Sequence, residues 1–205
     1  MANQWMSSVR QTHRLNFYLN SIAGTWLTAV HEAIKEFNGL STSDKLGVTY
    51  SPTATAPSNN GGADVSIATG NGPVSVTYSG TQITITINGR GLEGYTQLVS
   101  TQGGPVEKAF ILLPNQPMIS TPSGQRPIGL GVMKVIAFHE LIHGCGLENR
   151  DHTDVDVFNG NPQPDYGSTP AQDRVYITVG RHKLFMPPII FSAITAGKIA
   201  RLWAS

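Results

Sequence analysis

Apolar and polar positions alternate or recur with clear periods along much of the chain. Leu15, Phe17 and Leu19 alternate with polar neighbours, which predicts a half-buried strand. Ile22, Trp26, Ala29, Val30, Ala33, Ile34 and Phe37 fall on one helical stripe. They predict a helix capped by Ser21, running to about Phe37 and ended by Asn38 and Gly39. Strands are expected near residues 47–50 and 63–69. Residues 73–78 and 82–87 alternate strongly around Ser79, Gly80 and Thr81, which predicts a hairpin. Residues 109–113 form a compact apolar strand. The Pro-rich stretch 114–127 reads as loop. An apolar helix follows from Gly129 or Gly131 to Cys145, then a Pro-, Asp- and Asn-rich loop over 151–170 and a last helix over about 189–203. The pattern is α+β, without internal repeats, and residues 1–205 are expected to form one domain.

One segment of the apolar helix carries chemistry. Phe138–Leu147 reads Phe-His-Glu-Leu-Ile-His-Gly-Cys-Gly-Leu. Residues four apart in a helix share a face, so His139 and His143 can present two imidazoles to one ion, with Glu140 beside them. Two nitrogen ligands, a third from elsewhere, an open position for water and a carboxylate base make the minimal equipment of a zinc hydrolase. The neighbours Met133, Val135, Ile136, Leu141, Ile142 and Leu147 are apolar. Unpartnered polar groups are costly in such surroundings. Gly146 accepts a positive φ and allows the chain to reverse after the helix.

His139, Glu140, His143 and Gly146 match the His-Glu-x-x-His-x-x-Gly pattern, and the segment resembles the metzincin clan of zinc peptidases. In that family the third ligand is a His three residues after the Gly, a slot that falls here on Asn149. Asn offers only a neutral amide oxygen. His152 is favoured as the third ligand, on a slightly longer loop, because nitrogen suits zinc. Asp151 is next, and His182 a more distant candidate. Two further matches accompany the motif. Met186 before Pro187 resembles the family's Met-turn, which implies a hydrophobic floor under the ligands. Gly62-Ala63-Asp64-Val65-Ser66-Ile67 resembles an early strand of the matrixin-like branch. The resemblance implies a metzincin-like zincin domain: a twisted mixed sheet, a long N-terminal helix, an active-site helix and a C-terminal helix.

Composition narrows the setting. With 14 Lys+Arg against 13 Asp+Glu the net charge is +1, and no basic stripe points to nucleic acid. The single cysteine, Cys145, excludes an internal disulfide and reads as a buried structural thiol. Met1-Ala2-Asn3-Gln4-Trp5 lacks the basic and apolar regions of a signal peptide, and no stretch is apolar enough to span a membrane. Asp154, Asp156 and Asn159 could hold calcium through oxygen ligands. A solvated acidic loop, or carboxylates that orient the zinc histidines, is the simpler expectation. His31 and Glu32 are expected at the surface of the first long helix.

The expected function is a zinc-dependent endopeptidase, with Zn2+ on His139, His143 and His152, Glu140 as general base, and a peptide or protein as substrate. Residues 109–113 are a candidate edge strand for pairing with that substrate. Two other readings stand beside it: a non-catalytic zincin-fold module in a virion or surface assembly, and a zinc hydrolase acting on a non-peptide amide. A purely structural site has no need of Glu140.

Overall fold

A computed structural model of the chain describes residues 3–59, 61–100 and 103–204. Met1 and Ala2, part of the N-terminal stretch read above, lie outside the described residues. The architecture is mixed α+β. A five-stranded mixed sheet runs in the order β2 (Thr49–Pro52), β1 (Arg14–Asn20), β3 (Val65–Gly70), β7 (Lys108–Pro114), β6 (Tyr95–Val99). Its pairings are parallel except β6–β7, which is antiparallel. Four helices accompany the strands among the described residues: α1 (Ser7–Arg10), α2 (Gly24–Ser43), α3 (Leu130–Gly144) and α4 (Ala193–Trp203). No helix of the described residues is long and apolar enough to cross a membrane.

β7 shows how the layers stack. All seven of its residues are buried. Ala109, Ile111 and Leu113 join the main core with α2 and α3. Phe110 and Leu112 point the other way, into a second cluster with Tyr78, Ile85 and Ile87. Those last three belong to a hairpin, β4 (Gly72–Tyr78) and β5 (Thr81–Ile87), which covers the far face of the sheet. The hairpin turns on Ser79 and Gly80, both at positive φ (51° and 76°), the backbone of a two-residue turn that fits the strand twist.

Several sequence expectations need correction. β7 is not an edge strand: it pairs with β3 on one side and β6 on the other, and β6 closes the sheet at that end. Asn38 and Gly39 do not stop α2, which continues to Ser43. The Asn38 amide is occupied instead with the next strand. Its Nδ2 donates to Tyr50 O (2.9 Å) and its Oδ1 accepts from Tyr50 N (2.8 Å). Ser21 does not cap α2, since the helix begins after Ala23. Residues 114–127 contain a small hairpin, β8 (Met118–Thr121) with β9 (Gly124–Pro127). The last helix starts only at Ala193, where the Ser192 hydroxyl accepts from Thr195 N. A separate three-stranded sheet, β10 (Gln163–Asp165), β11 (Arg174–Val179) and β12 (His182–Met186), lies between the loop after α3 and α4.

Candidate metal centre

α3 is apolar nearly all round, as expected of a helix buried on every side. It packs against α2, β6 and β7. Its start is held by Asp173, whose Oδ2 accepts from Gly129 N (3.1 Å) while the same carboxylate takes both Arg126 amino groups (2.7 and 2.6 Å). The last carbonyls of a helix lack partners within it. Here side chains from distant elements supply them. Tyr50 Oη donates to Leu141 O, Trp5 Nε1 to Gly144 O, and Trp203 Nε1 to Cys145 O. Gly146 then reverses the chain at φ 109°, and a Cβ there would lie 2.3 Å from Asn3 O. The imidazoles of His139 and His143 are thus carried by a helix fixed at both ends.

His139, His143 and His152 come together. Each offers one ring nitrogen, and these atoms all lie within 4.8 Å of one another. The Nε2 atoms of His139 and His152 are each 3.2 Å from His143 Nε2. The opposite nitrogens fix the tautomers. His139 Nδ1 faces Val157 O at 3.0 Å, and His143 Nδ1 faces Leu147 O at 2.8 Å. A carbonyl can only accept, so each Nδ1 carries the proton and each Nε2 of a neutral ring is a bare lone pair. Burial, reinforced by the neighbouring imidazoles, pushes His139 down to about 3; burial is also the chief cause that takes His143 to about 4. Burial also lowers His152, against the pull of Asp151. Lone pairs held this close repel unless a cation lies among them. The donor set therefore fits a metal ion, and the three histidines could hold one.

Phe158, fully buried, lies against all three imidazoles, with ring centroids 5.2 Å from His139, 4.8 Å from His143 and 4.7 Å from His152. Met186 is fully buried in the same core, at the end of β12. The loop bearing Phe158 is tied down by Asp156. One of its carboxylate oxygens accepts from the Thr153 hydroxyl and Phe158 N, the other from Ser192 N and Ser192 Oγ. Asp156 thus uses both oxygens within the chain. Asp154 is exposed, and Asn159 Oδ1 accepts from Asn161 N.

Asp151 and His182 are not members of the cluster, and Asn149 lines the same cleft as the histidines. Asn149 opens a single 3-10 turn, Asn149–Asp151, that separates the family slot from His152. Asp151 closes this turn, with Oδ2 accepting from Glu148 N (2.9 Å). His182 is exposed at the β11–β12 turn and is no member of the cluster. Cys145 is buried, and burial raises its thiol to about 12. His31 and Glu32 are exposed.

Glu140 sits beside the cluster and is almost wholly buried. Burial is the main cause that raises its carboxyl to about 7. The Thr96 hydroxyl opposes that shift and the charge of Glu93 adds to it. The residues absent from the sequence reading are those around this carboxylate. Thr96 lies on β6 and donates to Glu140 Oε2 at 2.7 Å. Gly94, just before β6, leaves the space the carboxylate fills. Nothing in the short run Tyr-Thr-Gln-Leu-Val marks Thr96 as functional.

His139, Glu140, His143 and His152 line a cleft of about 770 Å³. Residues 92–98, which include most of β6, form one of its walls. Val135, Ile136, Val157, Pro164 and Val175 add apolar surface. The volume is usual for a ligand cleft, and polar side chains such as Glu93, Gln97 and Glu148 share the lining with that apolar surface. In comparisons with known proteins, the chain matches no protein-family model and no curated protein.

Proposed function

We propose that this protein is a zinc-dependent endopeptidase of metzincin-like type. The observation that carries the reading is a carboxylate, Glu140, set beside three converging imidazole nitrogens in an open cleft. A purely structural metal site has no use for that base. Zinc suits a set of three neutral imidazoles, and when bound it supplies Lewis acidity and brings the pKa of water to about 7. His139, His143 and His152 hold the ion, and the carbonyls of Val157 and Leu147 orient two of the rings. Glu140 takes a proton from the attacking water and delivers it to the leaving amine. β6 offers its outer edge to an extended peptide, which would add to the sheet as a further strand. The family's third slot, Asn149, is passed over in favour of His152.

The test is zinc loading with parallel measurement of metal content and hydrolysis of an unfolded protein substrate, for the natural chain and for Glu140→Gln. The expected result is one zinc per chain in both and hydrolysis lower by about 10²–10⁴-fold in the variant. A zinc-loaded natural chain that leaves every peptide bond intact would favour a non-catalytic module. Cleavage of small amides alone would favour a non-peptide substrate.

A further inference from the structure

We infer that Thr96 is the positioning residue for the Glu140 carboxylate, with Gly94 providing the room in which that carboxylate is held. The inference rests on the peptidase reading above and extends it to two residues that bind no metal. The Thr96 hydroxyl has one proton to give. It is directed at Glu140 Oε2 (2.7 Å), with Glu140 O a longer second acceptor at 3.2 Å. The bond to Oε2 is short and charge-assisted, the stronger kind. Among the described residues, no hydrogen bond reaches Oε1, which remains the oxygen for proton traffic.

Gly94 supports the same placement. It is two residues before Thr96, so both positions address one side of the chain as it enters β6. Its φ is outside the left-handed region that favours glycine, so conformation does not require it there. Space does. A Cβ at residue 94 would lie 2.6 Å from Glu140 Cγ and 2.9 Å from both Cδ and Oε1. A carboxylate torsion is broad and roughly two-fold when unrestrained. Here one neighbour gives the group room and the other fixes its plane. Both neighbours belong to the strand end that, in the peptidase reading, receives the substrate. Substrate seat and base orientation therefore share one piece of backbone.

The experiment compares Thr96→Val, which keeps the shape and removes the hydroxyl, with Thr96→Ser, which keeps the hydroxyl. Crystal structures of the metal-free proteins give a readout independent of activity. The natural chain and Thr96→Ser are expected to show one carboxylate orientation bonded to residue 96, and Thr96→Val a rotated or split one. Zinc affinity should be equal in all three. With a peptide substrate, Thr96→Val should lower kcat by about 10- to 100-fold at nearly constant KM, the size of a lost hydrogen bond to a charged group, and Thr96→Ser should restore it. An unmoved carboxylate in Thr96→Val overturns the inference. So does a Thr96→Ser protein as impaired as Thr96→Val, or an effect confined to KM. If the natural chain cleaves nothing and the carboxylate still turns in Thr96→Val, the peptidase reading fails while the positioning role stands.

Discussion

The Nε2 atoms of His139 and His143 face each other across 3.2 Å, and in each ring the other nitrogen donates to a main-chain carbonyl. Two neutral acceptors are thereby aimed at one point. The arrangement suits a cation and is poorly suited to protons, since protonation would bury charge beside charge.

That relationship sets a pH dependence for the metal-free protein. His139 and His143 titrate at about 3 and about 4 in the folded state, against about 6.5 in an unfolded chain. As pH falls below about 6.5 the unfolded chain gains protons that the folded one refuses, so stability is lost. His152, also lowered, acts in the same direction. Glu140 acts oppositely. Its folded value is about 7 against about 4.3 unfolded, so its contribution is full below about 4.3 and fades as pH rises through 7. The histidines outnumber the one carboxyl, and stability should fall on acidification from about pH 6.5 to 4.5. Urea unfolding midpoints of the metal-free protein across that range measure it. A level or rising midpoint would contradict histidines that stay neutral in the folded protein.

The third ligand is tested by alanine substitution at two neighbouring positions. His152→Ala should weaken zinc binding by several orders of magnitude, because three protein ligands are the usual minimum of a catalytic site. Asn149→Ala should change it little, since Asn149 opens the 3-10 turn and offers only a neutral amide oxygen. Titration against a competing chelator reads both. The reverse ranking would place the ligand at the family's own spacing.

Gly160 gives a test that alters no ligand. A Cβ there would lie 2.6 Å from His152 Nδ1 and 3.3 Å from Cε1. The ring would have to shift from the position at which its Nε2 faces His143. Gly160→Ala should therefore lower zinc affinity by about 10-fold or more while leaving metal-free stability within about 0.5 kcal/mol, the ordinary cost of an exposed substitution. Chelator competition and thermal melts separate the two effects. Unchanged affinity would mean that His152 is not held where the geometry puts it.

How much of this was legible in the sequence depends on how local each signal is. His139, Glu140 and His143 were readable because helical spacing alone puts them together. His152 was readable from ligand chemistry, although spacing by itself pointed to Asn149. The strand over 108–114 was plain, but its place in the sheet was not. A run buried on both faces says nothing about its neighbours, and β6 is short and mildly polar. Asn38 and Gly39 carried a stop signal that a distant strand overrode, by engaging the Asn38 amide with Tyr50. Phe158 and Thr96 carried no signal. A buried Phe or a strand Thr is ordinary anywhere, and only the fold brings one against three imidazoles and the other against Glu140.

The turn Asn149–Asp151 concerns rotational phase. A 3-10 helix completes a revolution in about three residues and advances about 2 Å for each. Three additional residues wound this way carry the backbone forward by about 6 Å, where an extended run would cover about 10 Å. More importantly, the chain leaves the turn heading nearly as it entered. The segment linking Gly146 to the last imidazole is thus tolerant of whole-turn changes in length and intolerant of fractions. Removing one residue would swing His152 by about a third of a revolution, whereas removing all three would return it to its original bearing, a periodicity that a motif written with fixed spacing cannot express.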